Sequence, residues 1–156
     1  MRALWAVLAA SSIIAGCSGE ETPEDRVRSY IAQVIESAEA RDWRSFKDYV
    51  ADDYNDDHGL RKKEVLAIVV RYILANQKIH ILERVASVRI DNPGNAHAVV
   101  YAAMAGQPVL GPEDLARIRA DVYRFEIDLR AGDDGVFRTR RGIWNPVGPE
   151  QLLIGR

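Results

Sequence analysis

The chain has 156 residues, 47% of them apolar and 28% charged, and a formal net charge of −2. That length holds one domain and not two of ordinary size, and the composition is that of a globular protein, neither disordered nor embedded throughout in a membrane. The nearly balanced, slightly acidic charge gives no electrostatic footprint for nucleic acid. The first residues stand apart from the rest. Arg2 supplies one positive charge, and Ala3 to Ala15 carries none and is mostly Ala, Leu, Val and Ile. A spanning helix needs about 20 apolar residues and a signal-peptide apolar region about 7–15. This run fits only the second, so it is expected to target the chain and to lie outside the fold.

The run ends in Ile14-Ala15-Gly16-Cys17, which resembles the lipobox of bacterial lipoproteins: an aliphatic residue, two small residues, then cysteine. Small residues let the chain lie extended in a peptidase groove, and the thiol is the nucleophile that takes a diacylglyceryl group. Cys17 is the only cysteine, so no internal disulfide can form, and a leftover thiol in an exported protein calls for an explanation. The resemblance implies cleavage after residue 16, lipid (palmitate-type acyl chains) on Cys17, and a lasting membrane anchor, because more than one chain is attached. An aspartate after the cysteine tends to mean inner-membrane retention in such proteins. Ser18 stands there instead, so the resemblance implies the outer membrane, facing the periplasm. The mature chain then carries 20 basic against 23 acidic residues.

Ser18 to Asp25 is polar and acidic and reads as a tether running into the first helix. Thr22 is a candidate N-cap, with Pro23 at the first helical position and Asp25 at the third. The first helix is expected over 23–41, because Val27, Tyr30, Ile31, Val34, Ile35 and Ala38 form one apolar stripe at helical spacing. Asp42 is expected to cap a shorter helix with Trp43, Phe46 and Val50 on one side. A polar knot follows, Asp52 to Gly59. A third helix is expected over 62–76, with an apolar arc broad enough to predict burial on more than one side.

From Lys78 the period changes to two. Strands are expected over 79–90, with a bulge where the phase slips at Leu82–Glu83, over 96–105, over 121–130 and over 136–145. Asn92-Pro93-Gly94-Asn95 and Asp133-Asp134-Gly135 mark turns. The third strand alternates cleanly, with Tyr123, Phe125, Ile127 and Leu129 inward. The 106–120 connection is long. Pro146 and Pro149 end regular structure, and residues 148–156 are expected to form a loose tail. Three helices followed by four strands in sequence order predict an α+β fold with a curved antiparallel sheet.

This order, closing on a strand such as Phe137 to Trp144, resembles the nuclear transport factor 2-like (cystatin-like cone) superfamily, over about 23–147. The resulting division is a signal peptide over 1–16, lipidated cysteine and tether over 17–22, the domain over 23–147 and the tail. The resemblance implies a cone with an open mouth that serves as a pocket in many members, and no reaction by itself.

Candidate sites are few. Tyr54, Tyr101, Tyr123 and Trp144 are candidates to line the pocket. A catalytic cone would need a carboxylate base, but Asp128 alternates outward and Asp121 sits at a strand start, so no catalytic residue is assigned. Asp53, Asn55, Asp57 and Glu64 have partial spacing for a calcium loop, but His58 occupies the place of its glycine. His58, His80 and His97 share no metal-binding spacing, although the strands bearing His80 and His97 are expected to be neighbours. No nucleophile motif or phosphate-binding glycine loop is present, and no cofactor is expected. Arg61-Lys62-Lys63 and Arg138/Arg140/Arg141 are basic clusters that suit anionic headgroups beside an anchor. The expected function is a membrane-anchored binding or assembly module without catalysis, taking a protein partner or a small apolar ligand. An isomerase-, cyclase- or hydrolase-like enzyme using the cone is the alternative. A homodimer through the sheet face is a further expectation.

Overall fold

The structure, a computed structural model, describes residues 21–111, 114, 115, 117, 118 and 120–154. The lipobox and Cys17 lie outside the described residues. The first helix, α1 (Pro23–Glu39), starts as its sequence dictates. The Asp25 amide donates to Thr22 Oγ1 and the Thr22 amide to Asp25 Oδ2, each at 3.1 Å. This capping box satisfies two amides that the first turn leaves without helical partners.

The α1 stripe packs Val27, Tyr30 and Ile31 on a four-stranded antiparallel sheet of order β1-β2-β3-β4, comprising β1 (His80–Asn92), β2 (Asn95–Ala105), β3 (Ala120–Ala131) and β4 (Phe137–Pro146). Ala96 and Ala98 lie under the helix with Val100, Leu129 and Phe137 around them. Two alanines on the central strand let the helix backbone come close to the sheet. All four strands match the sequence expectation to within two residues at each end. Gly135, at φ 74°, makes the last hairpin.

After α1 the chain reverses at Arg41, whose φ of 58° is unusual for a residue with a side chain. Its guanidinium holds the end of the third helix through the Ile73 carbonyl at 3.1 Å. The second helix, α2 (Phe46–Tyr49), is one turn long and begins after Ser45, not at Asp42. Asp42 instead accepts from Ser45 Oγ at 2.5 Å, in the turn leading into it. Phe46, Tyr49 and Tyr30 meet edge to face. Residues 50–55 then run beside β4, with the Ala51 and Asn55 amides donating to the Thr139 and Arg140 carbonyls.

Three further expectations are corrected. Helix α3 (Lys62–Ala75) is not buried on more than one side, since only Ile73 is buried and Leu74 is 62% exposed. Its arc packs on residues of α1, α2 and the start of β1, and the rest of its apolar surface stays half-open. Strand β1 pairs without a break at Leu82–Glu83 and shifts register between Val85 and Ser87 instead. Leu82 breaks the alternation because it packs on the outer face, in a second small cluster with Ala103, Leu115, Val122 and Leu152. The tail over 149–152 is not loose, because it forms a 3-10 helix, Pro149–Leu152, that buries Leu152 in that cluster. Arg84 fastens it, with Nη2 2.5 Å from the Gln151 carbonyl.

Candidate functional site

Register decides which candidate side chains can meet, because residues paired across strands share a face and neighbours along a strand do not. Tyr101 pairs with Arg124, whereas Tyr123 pairs with Ala102. Tyr101 therefore lies on the outer face, where the Arg84 guanidinium stands 4.5 Å from its ring centre. Tyr123 lies on the inner face with Phe125, their ring centres 6.0 Å apart, and Phe125 pairs with Trp144. Tyr54 is elsewhere, buried at the β4 edge, with its hydroxyl 3.3 Å from Asp56 Oδ2 and 3.4 Å from the Gly142 carbonyl. Burial, and then the Asp56 carboxylate, push its phenol well above the usual range. Of the four aromatic candidates, the structure brings together Tyr123 and Trp144, and Tyr101 points away from them.

A residue that sequence reasoning passed over lies near Tyr123. Tyr72 of α3 is half-buried. Burial raises its phenol above the usual range, and the Asp121 carboxylate and Tyr123 raise it further. In the sequence Tyr72 is one more residue in an apolar helical arc, and no spacing links it to Asp121.

The polar knot forms a second feature, a cleft of about 270 Å³ lined by Asp53, Asn55, Asp56, Asp57, Asp128, Arg140 and Arg141. Arg141 grips Asp57 with two donors, Nε to Oδ1 at 3.1 Å and Nη2 to Oδ2 at 2.5 Å, and reaches Asp128 at 3.3 Å. His97 Nδ1 lies 2.7 Å from the same Asp128 carboxylate. Arg130 donates to Asp53 at 2.7 Å, and Arg138 is taken up by Asp134 at 2.7 Å.

The calcium spacing does not close into a ligand shell. Guanidinium groups hold the carboxylates of Asp53 and Asp57, and Glu64 accepts from the Arg61 amide at 3.1 Å. Among the described residues no group of three or more His, Cys, Asp or Glu side chains is placed to hold a metal. His80 and His97 do sit on paired strands, but His80 pairs with Ala105 and His97 with Arg89, at opposite ends of the ladder. Asp56 is the buried member of the knot, and its Oδ1 accepts from the His58 and Leu60 amides, both at 2.9 Å.

Asp128 offers a test of the network. Burial raises its carboxyl, but hydrogen bonds from His97 and Arg141 outweigh that and the net shift is downward. A depressed carboxyl stabilises the fold above its unfolded value of about 3.9, and that stability is lost as pH falls through the lower folded value. Urea midpoints followed from pH 5 to pH 2 are therefore expected to fall more steeply for the natural chain than for Asp128→Asn.

A third feature is a groove of about 270 Å³ between α3 and the segment after α1, lined by Trp43, Arg44, Lys47, Leu66 and Val70. The outer sheet face, by contrast, divides in two. One end is apolar and already covered by Leu115 and Leu152, and the other carries Arg89, His97, Asp128 and Arg141 along one row of paired residues.

No protein-family model and no curated protein matches the chain. Solved structures do. An NTF2-like family member from Streptomyces avermitilis, described as a dehydratase, aligns over 80% of this chain and 96% of its own, with a TM-score of 0.64 at 14% identity. An NTF2-like protein of unknown function in nutrient uptake from Rhodospirillum rubrum aligns over 78% and 98%, with a TM-score of 0.58 at 18% identity. An uncharacterised protein with a cystatin-like fold from Caulobacter vibrioides aligns over 82% and 92%, with a TM-score of 0.58 at 16% identity. At these identities the likeness is one of architecture: three helices on a four-stranded antiparallel sheet, the nuclear transport factor 2-like fold.

Proposed function

We propose that the chain is a lipid-anchored envelope protein whose nuclear transport factor 2-like domain works as a binding or assembly module without catalysis. The observation that carries the anchor is the Ile14-Ala15-Gly16-Cys17 sequence directly behind a short uncharged run, in a chain with one cysteine. The domain that follows begins at a capped helix only six residues after Cys17. Such a domain sits at the membrane surface, and Ser18 favours the outer membrane, facing the periplasm.

The binding reading is supported by how the carboxylates are used. Those of the knot are committed to arginines, a lysine and backbone amides, which supports structure and recognition as their roles. No helix among the described residues is long and apolar enough to cross a membrane, and in this reading attachment rests on Cys17. Acyl chains hold by burial of about 0.8 kcal/mol per CH₂.

One observation favours a second reading. Asp121 and Tyr123 are near enough to Tyr72 to raise its phenol, and a carboxylate beside two phenols can move a proton on a small carbonyl or hydroxy compound. The dehydratase description belongs to the Streptomyces protein, and none of its site residues is transferred here. Turnover that Asp121→Asn abolishes without unfolding the domain would establish this reading over the first.

The anchor is tested by mass spectrometry of the protein recovered from membranes. The expected result is a chain starting at Cys17 with a diacylglyceryl adduct. Cys17→Ser is expected to remove the adduct completely and to leave an uncut precursor. An unmodified Cys17 thiol in the natural protein would overturn the reading.

A further inference from the structure

Helix α3 carries more apolar surface than its packing uses. Ile73 is its only buried residue, and Leu74 is 62% exposed. Beside it the groove is floored by Leu66 and Val70 and rimmed by Trp43, Arg44 and Lys47. Trp43 is itself 36% exposed, with the Arg44 guanidinium 4.5 Å from its ring centre.

Charge is concentrated around the same place. Residues 41–49 and 61–78 hold eight basic and three acidic side chains, while the rest of the chain holds thirteen basic and twenty acidic. Arg41, Arg44, Lys47, Lys63, Arg71 and Lys78 are all exposed. Two of the three acids have local partners, Asp42 accepting from Ser45 Oγ and Glu64 from the Arg61 amide. A chain that is acidic elsewhere thus carries one basic face with an exposed tryptophan and leucine in it.

We propose that this face, the Trp43 groove with the exposed side of α3, docks on the anionic phospholipid surface to which the chain is anchored. The inference rests on the lipid-anchor reading. An exposed tryptophan beside an apolar helix flank suits the headgroup boundary, where an indole buries its ring and keeps its N–H wet. Lysine and arginine around it meet lipid phosphates and lower their charge repulsion. An acidic protein surface would attract the same cations, but the tether favours lipid. Six residues from Cys17 to Thr22 reach about 20 Å at most, so a bilayer is always at hand. Helix α1, whose 17 residues span about 25 Å, separates the tether from the groove. The two can touch one surface only if α1 leans over towards it.

Tryptophan fluorescence tests this on the lipidated, mature protein in vesicles. Removal of the leader takes Trp5 with it, so Trp144→Phe leaves Trp43 as the single reporter, and Trp43→Phe leaves Trp144 as the control. In vesicles of phosphatidylethanolamine and phosphatidylglycerol, Trp43 emission is expected to shift to the blue. Brominated acyl chains are expected to quench it several-fold more strongly than Trp144. The charge reversal Arg44→Glu with Lys47→Glu is expected to abolish that quenching while the protein still floats with the vesicles. Flotation with Trp43 still open to aqueous iodide overturns the docking face and leaves the anchor intact. Failure to float overturns the anchor reading and the docking face with it. Shielding of Trp43 that grows with protein concentration in detergent, or appears only when a soluble acidic protein is added, and is absent on vesicles, assigns the face to a protein and overturns the lipid assignment.

Discussion

Asp56→Ala is expected to lower the unfolding free energy by about 2–4 kcal/mol, read from urea or guanidinium denaturation. The side chain is 5% exposed and accepts two backbone amides at 2.9 Å, from His58 and Leu60. Alanine removes the acceptor and leaves both part-buried amide donors without it. Each orphaned group costs about 1–3 kcal/mol. Tyr54 loses less, because its hydroxyl can turn to the Gly142 carbonyl at 3.4 Å. Asp56→Asn keeps an oxygen in place and is expected to lose about 1 kcal/mol, the difference between a charged and a neutral acceptor. Equal losses in the two variants would show that the charge, not the acceptor geometry, holds the 56–60 turn.

The second large effect is expected at Ile73, which is 2% exposed and fastens α3 to Phe46 and Ile79. Ile73→Ala removes three carbons from a packed site and is expected to cost about 2–5 kcal/mol, with Ile73→Val costing about 0.5–1.5 kcal/mol. Because α3 has one buried anchor, the damage should also be local. Limited proteolysis of Ile73→Ala is expected to cut first within residues 59–78, well before the sheet. Cleavage that begins instead in β2 or β3 would show that α3 is part of the main cooperative unit.

The parts of the fold visible in the sequence are those where one physical signal acts alone. Thr22-Pro23 with Asp25 announced the start of α1, and Val27 to Ala38 its buried stripe. The alternation of Tyr123 to Arg130 named the faces of β3 correctly, since one side meets helices and the other is polar. Strand β2 offers no such contrast. Its inner residues are Ala96, Ala98, Val100 and Ala102, and its outer Ala103 and Ala105 are buried as well. With both sides apolar the period disappears, and nothing in the sequence told Tyr101 from Tyr123 by face. The same two-sided burial explains Leu82, whose outward packing against the docked tail imitated a bulge. For α3 the failure ran the other way, because an apolar arc reports what a helix could bury, not what its neighbours cover. The site residues were harder still. Asp57 and Arg141 are 84 positions apart, and their pairing depends on the 50–55 segment lying along β4.

That segment also bears on how many copies can crowd together. A sheet with bare edges recruits foreign strands, and the proposed anchor would raise local concentration enough to make this a hazard. Here part of the β4 margin is covered by the chain's own Ala51 and Asn55 amides, which donate to the Thr139 and Arg140 carbonyls. At the β1 margin, Glu39 caps the Ile81 amide at 2.8 Å and the register shift past Val85 kinks the ladder. Where they are covered, both rims are poor templates for cross-β growth, which would let an anchored domain crowd without polymerising edge to edge.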